Sequence, residues 1–109
     1  MTSDPAGKQL YADVTDALIA GGRATRGTMM GFPCLRRDGA FFASLDPATN
    51  ALIVKLPADR VTALTRTGTG ESFAPNGRVF REWIAIPQPR RDTWTRLLDE
   101  AWRFAAAQR

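Results

Sequence analysis

From Thr28 to Leu56 (TMMGFPCLRRDGAFFASLDPATNALIVKL) apolar and polar positions alternate with a period of two, broken twice by turn residues. This pattern predicts a three-stranded antiparallel meander. Arg37-Asp38-Gly39-Ala40 carries the Asp-Gly pair that closes short hairpins, because glycine accepts a positive φ without a Cβ clash. Asp46-Pro47-Ala48-Thr49-Asn50 is the second turn, with Pro presetting φ and Asn tolerating the left-handed region. In the second strand Phe41, Ala43 and Leu45 share one side and Ala40, Phe42 and Ser44 the other. In the third, Leu52, Val54 and Leu56 oppose Ile53 and Lys55. The first strand, around Met29 to Arg36, is interrupted by Gly31 and Pro33. Proline cannot donate to a ladder, so this strand is expected at an edge or with a bulge.

Outside the meander the period changes to that of a helix. Asp4 is an N-cap candidate and Pro5 fits the first helical position. Leu10, Val14, Ala17 and Leu18 then recur at helical spacing up to Gly21-Gly22, predicting a helix over Pro5–Ala20. Arg23 to Gly27 reads as a polar connector. Pro57 to Thr67, with Asp59 early and Gly68 after it, predicts a short helix with Val61 and Leu64 on its inner stripe. Asn76-Gly77 within Ala74-Pro75-Asn76-Gly77 predicts a second hairpin turn after Phe73. The strand Val79 to Ile86 follows, with Arg81, Trp83 and Ala85 on one face and Glu82, Ile84 and Ile86 on the other. Asp92 caps a last helix, whose stripe of Trp94, Leu97, Leu98, Ala101, Trp102, Phe104 and Ala105 is the strongest helical signal in the chain. The order α-β(3)-α-β(2)-α predicts an α+β fold, a two-layer antiparallel sheet with helices.

With 109 residues there is room for one domain with a real core, so residues 1–109 are read as a single unit. The longest apolar runs fall well short of the roughly 18 residues a membrane span needs, and no membrane association is expected. The N-terminus has neither a basic region nor an apolar segment, so no signal peptide is expected. The single Cys34 cannot form an internal disulfide, which fits a cytoplasmic protein. A net charge of +4 raises nucleic acid as a partner. Yet of the 15 basic residues all but Lys8 and Lys55 are Arg, alanine is abundant, and no basic run exceeds Arg36-Arg37 or Arg90-Arg91. A GC-rich coding sequence and solvated faces account for that pattern better than a phosphate footprint.

The chain has no histidine. That removes His-based acid–base catalysis, Ser-His-Asp and Cys-His systems and most transition-metal sites. Cys34 lies near Arg36 and Arg37, which would favour a thiolate, but a small apolar residue in a strand is the preferred reading. Gly68-x-Gly70 leaves a helix C-terminus, whereas a phosphate loop enters a helix N-terminus, so it is a helix stop. Glu71 and Glu82 are close enough in the predicted hairpin to raise a carboxylate pair. An ion pair of Glu82 with Lys55 or a neighbouring Arg is preferred. No catalytic residue, metal site or cofactor follows from these features.

The second sheet face is the remaining candidate. If the helices cover Phe41, Leu45, Leu52, Val54 and Ile84, then Phe42, Ile53 and Trp83 point away from them, beside Lys55 and Arg81. Such a patch marks an interface or a ligand groove unless a loop or the irregular first strand folds over it. A homodimer contact or a protein partner is one occupant. Single-stranded nucleic acid, held by aromatics beside cations, is another.

Three segments together resemble a known family. They are Met30-Gly31-Phe32-Pro33-Cys34-Leu35 with Asp38-Gly39-Ala40-Phe41-Phe42-Ala43; Leu52-Ile53-Val54-Lys55-Leu56-Pro57; and Gly70-Glu71-Ser72-Phe73 followed by Asn76-Gly77-Arg78 and Glu82-Trp83. Their order and spacing are similar to the TfoX N-terminal domain family, and more distantly to MmcQ/YjbR-type proteins. The resemblance implies an α-β(3)-α-β(2)-α fold and carries no catalytic residues, since its motifs are glycine, aromatic and strand positions. Members known for regulating natural competence carry a second, C-terminal domain; the likeness covers the N-terminal domain alone, so that role is not expected to carry over. The MmcQ/YjbR relatives are described as DNA-binding-like. The expectation is a non-enzymatic interaction or regulatory module, with a nucleic-acid-binding protein as the alternative.

Overall fold

The computed structural model describes residues 5–29 and 31–107. In chain order the elements are α1 (Pro5–Ala20), β1 (Thr25–Met29), β2 (Phe32–Arg37), β3 (Ala40–Leu45), β4 (Leu52–Lys55), α2 (Ala58–Arg66), β5 (Glu71–Ser72), β6 (Trp83–Ile86) and α3 (Arg91–Ala107). The strands form a six-stranded antiparallel sheet in the order β1-β2-β3-β4-β6-β5. The α+β class and two-layer plan are as expected, and the element order gains one strand before α2.

Both meander turns form where their residues call for them. Asp38 and Gly39 have φ of 49° and 88°, the paired positive values whose twist matches a two-residue hairpin. At the other turn the Asp46 carboxylate accepts from the Ala48 N–H at 2.9 Å, and Asn50 takes φ 60°. The added strand is β1, in the segment read as a polar connector. Thr25, Arg26 and Thr28 are all exposed, so this edge strand lacks the alternation that would betray it. It pairs with β2, Gly27 opposite Cys34 and Thr28 opposite Pro33. The Pro-containing strand is therefore internal rather than at the edge, and it does take part in a bulge. Asp4, read as an N-cap, lies outside the described residues. Asp92 falls within the first turn of α3 rather than before it.

The core lies between the sheet and the helices. Cross-strand pairs Leu52–Ile86 and Val54–Ile84 and Ala43–Val54 point their side chains into it. Above them α3 contributes Trp94, Leu97, Leu98, Ala101 and Ala105, α1 contributes Leu10, Tyr11 and Val14, and α2 adds Val61 and Leu64. At about 1.5–3 kcal/mol for each large side chain fully buried, this stripe makes α3 the main anchor of the layer. Trp102 is only partly buried, and packs against the core from its margin. An Arg60–Glu100 ion pair with bonds of 2.8 and 3.1 Å ties α2 to α3; Glu100 raises the Arg60 pKa, chiefly through that hydrogen bond.

Among the described residues no helix is long and apolar enough to cross a membrane.

Candidate functional site

The register of β2 against β3 decides what the uncovered face presents. Leu35 faces Ala43, but the next pair is Arg36 with Phe41, so Phe42 is an extra residue on β3. A bulge of this kind reverses the alternation on its far side. Phe42 therefore turns into the core, fully buried at 0% exposure, and joins the helix-side cluster. Phe41 takes the open face, beneath the Arg36 guanidinium at 5.7 Å from its ring centre. The expected assignments of these two phenylalanines are thus exchanged. Phe42 is not part of any surface, and the cause is a local insertion that strict period-two counting does not see.

Ile53, Lys55 and Trp83 share the open face as expected. They line a groove of about 860 Å³ together with Phe32, Phe41, Ser44 and four residues of the 73–82 loop: Phe73, Pro75, Asn76 and Phe80. Ser44 and Ile53, cross-strand partners, form a floor in which Ile53 is only 1% exposed. Lys55 and Trp83 are also directly opposed, and both are half-buried. The groove continues past the β2–β3 turn at Gly39 and Ala40 to Ala105 of α3.

The far wall comes from the segment expected to be a hairpin turn followed by a strand from Val79. The Asn-Gly turn is present, with Gly77 donating to Ala74 O at 3.2 Å, but β6 begins only at Trp83. Residues 73–82 form a loop instead. Phe73 and Phe80 stack at 5.7 Å between ring centres, and the Phe80 N–H donates to Phe73 O at 3.1 Å. The stacked pair ties the two ends of the loop together, with Phe73 half-buried and Phe80 still 37% exposed. A loop covering part of this face was one of the outcomes open from the sequence. On this face Ile53 is buried, while Phe41 and Trp83 are half-buried.

The same loop takes Arg81 out of the strand and out of the lining of the large groove. Arg81 precedes the strand and is exposed; with Val79 and Phe80 it lines two depressions beside the groove, one of them shared with Lys55, Glu82 and Trp83. Val79 is the most exposed large apolar residue described, at 57%. Sequence reasoning missed Phe32, Phe73 and Phe80 as lining residues; the aromatic content of the loop was the available signal.

Among the described residues that line the groove, Lys55 is the only charged one. The expected Glu82 ion pair does not form: the ion pairs among the described residues join Arg26–Asp16, Arg60–Glu100, Arg91–Asp13 and Arg103–Asp99. Glu82 instead uses its backbone carbonyl, which accepts from the Leu56 N–H at 2.9 Å. Cys34 is buried beneath this face, and burial raises its thiol pKa despite the nearby Arg36. It is therefore protonated at neutral pH and poorly nucleophilic. Ser44, across from it, donates its hydroxyl to Pro33 O at 2.7 Å, which occupies the carbonyl of a residue that breaks the ladder. Among the described residues no His, Cys, Asp and Glu cluster could hold a metal.

No family model matches the chain, and neither a curated protein nor a solved structure matches it.

Proposed function

We propose that the chain is a non-enzymatic binding module, an interaction or regulatory protein of the cytoplasm, and that it binds through the groove on the uncovered sheet face. The observation that carries the reading is the convergence of five aromatic rings, Phe32, Phe41, Phe73, Phe80 and Trp83, on one concavity with a single cation. Ligand sites are concave, mostly apolar, and carry a few polar groups that fix orientation. The groove volume lies within the roughly 300–1,000 Å³ typical of such sites. Its lining is apolar apart from Lys55, Ser44 and Asn76, a composition that suits holding a molecule. A likeness to the TfoX N-terminal domain belongs to the same proposal and is consistent with a module whose shared residues specify a fold.

A second reading is single-stranded nucleic acid. It is favoured by the guanidinium of Arg36 near Phe41 and that of Arg78 at 6.0 Å from the Phe80 ring, since bases stack on such rings while cations follow the phosphates. A homodimer through this face is less well supported. An isologous contact sets a surface against its own copy, and here a concavity would face a concavity.

The test is a fragment screen on the isotope-labelled chain, with light scattering for its mass. A binding module predicts a monomer in which aromatic fragments shift the Ser44, Ile53 and Lys55 amides and the Trp83 indole. A dimer that loses its contact in Trp83→Arg, or fragments that leave these resonances unmoved, would count against it. The nucleic-acid reading predicts affinity for oligothymidylate that falls steeply with salt.

A further inference from the structure

Resting on that reading of the groove, we propose that its occupant is a small, flat aromatic anion whose charged group sits at Lys55. Three observations carry this. The first is charge. Lys55 is half-buried and makes no ion pair among the described residues; no carboxylate lines the groove itself, and Glu82 lies in the adjoining depression with Arg78 and Arg81. A neutral occupant would strip water from that ammonium and return nothing, whereas an anion replaces the lost hydration. The Arg36 guanidinium over Phe41 adds to the positive potential on the same side.

The second is shape. The Phe73–Phe80 pair, stacked with 30° between ring planes, faces a sheet floor that presents Phe41 and Trp83. Rings gathered in this way meet another ring in offset or edge contacts worth about 0.5–1.5 kcal/mol beyond burial. The third is closure. The 73–82 loop walls the groove on one side through Phe73, Pro75, Asn76 and Phe80, so a ring is held between that loop and the sheet. Asn76 at the rim supplies both a donor and an acceptor for a second polar group.

The experiment uses two probes with the same ring system, anilinonaphthalene sulfonate and the uncharged N-phenylnaphthylamine, titrated into the folded chain and followed by fluorescence. Wild type should bind the sulfonate at one site, about tenfold or more tighter than the uncharged probe, as a charge-assisted contact of about 1.5–3 kcal/mol implies. Lys55→Met keeps the stem and removes the charge. It should weaken the sulfonate about tenfold and leave the uncharged probe unchanged, with near-ultraviolet circular dichroism confirming the fold. Phe41→Ala should weaken both probes, and serves if Trp83→Ala fails to fold. Equal affinity for the two probes, unchanged in Lys55→Met, would overturn the anion while leaving the groove as a binding site. Failure of both probes to bind would overturn the binding reading as well. Oligothymidylate that outcompetes the sulfonate in a salt-dependent way would overturn the small occupant in favour of a strand.

Discussion

Lys55 stands directly opposite Trp83 across the antiparallel ladder of β4 and β6. The one charged residue described in the groove lining and its largest ring are therefore cross-strand neighbours, held by backbone pairing, with the Trp83 N–H also donating to Phe80 O of the loop at 3.3 Å. One residue further along, Val54 faces Ile84 and both side chains enter the core. The alternation that buries one pair is what presents the other, so the site is coupled to the core by the register of β4 and β6.

The two adjacent phenylalanines on β3 should separate cleanly on mutation. Phe42→Ala removes a fully buried ring and should destabilise the protein by about 3–5 kcal/mol. Phe41→Ala removes a half-buried one and should cost about 1 kcal/mol or less, while groove binding is lost. Urea denaturation of both variants measures this. The reverse order of stability would mean that β3 has no bulge.

Gly7 lies in the first turns of α1, where alanine would ordinarily gain about 1 kcal/mol from helix propensity. Here a Cβ would stand 2.4 Å from the Asn50 carbonyl oxygen, in the turn between β3 and β4. The backbone there cannot rotate away as a side chain would, because Asn50 N–H is bonded to Asp46 O at 2.7 Å. Gly7→Ala should therefore destabilise by about 1–3 kcal/mol, seen as a lower melting temperature.

The Tyr11 hydroxyl is buried and has no hydrogen-bond partner among the described residues. Burial raises its pKa above the ordinary tyrosine value, with a smaller push in the same direction from Cys34 and an opposing one from Arg26. The sign for stability follows from linkage. Below about pH 10 the phenol is protonated in both states; above it the unfolded chain ionises first and stability falls, by at most about 1.4 kcal/mol per pH unit from this group. Tyr11→Phe should flatten that alkaline loss. At pH 7 it should leave stability unchanged or raise it by about 1 kcal/mol, since an unsatisfied polar atom is removed.

Trp102 is held by polar contacts as much as by burial. Its indole N–H donates to Arg23 O at 2.8 Å, the Arg37 guanidinium lies 3.5 Å from the ring centre, and Arg37 Nη1 donates to Trp102 O at 2.9 Å. Arg37→Ala should cost about 1–2 kcal/mol, and Trp102→Ala about 2–4 kcal/mol, toward the low side for a tryptophan because the ring is partly exposed. Equilibrium unfolding of the two single variants and the double variant would measure their coupling.

Much of the fold could be read from local chemistry. The Asp38-Gly39 turn, the bounds of α1, the Val61–Leu64 stripe and the α3 stripe all follow from residue type at a fixed spacing. The candidate face was half legible. Ile53, Lys55 and Trp83 were assigned to it correctly because they lie on regular β4 and β6. Phe42 was misassigned because the bulge opposite Leu35 and Arg36 is a matter of register between strands, with no signature in either strand alone. Arg81 was expected within the strand, yet it falls in the loop before Trp83 and lines a depression beside the groove that Lys55 and Trp83 also line. Strand β1 escaped because an edge strand exposed on both sides carries no hydrophobic period.

Where an aromatic molecule touches the protein decides whether the groove is its binding site. Intermolecular nuclear Overhauser contacts between a bound aromatic probe and the methyl groups of the chain would measure it. The prediction is contact with the Ile53 methyls and the Trp83 indole, lost in Phe41→Ala while that variant remains folded. Contact confined to Val79 and the outer surface beside Arg81, with none to Ile53, would contradict it.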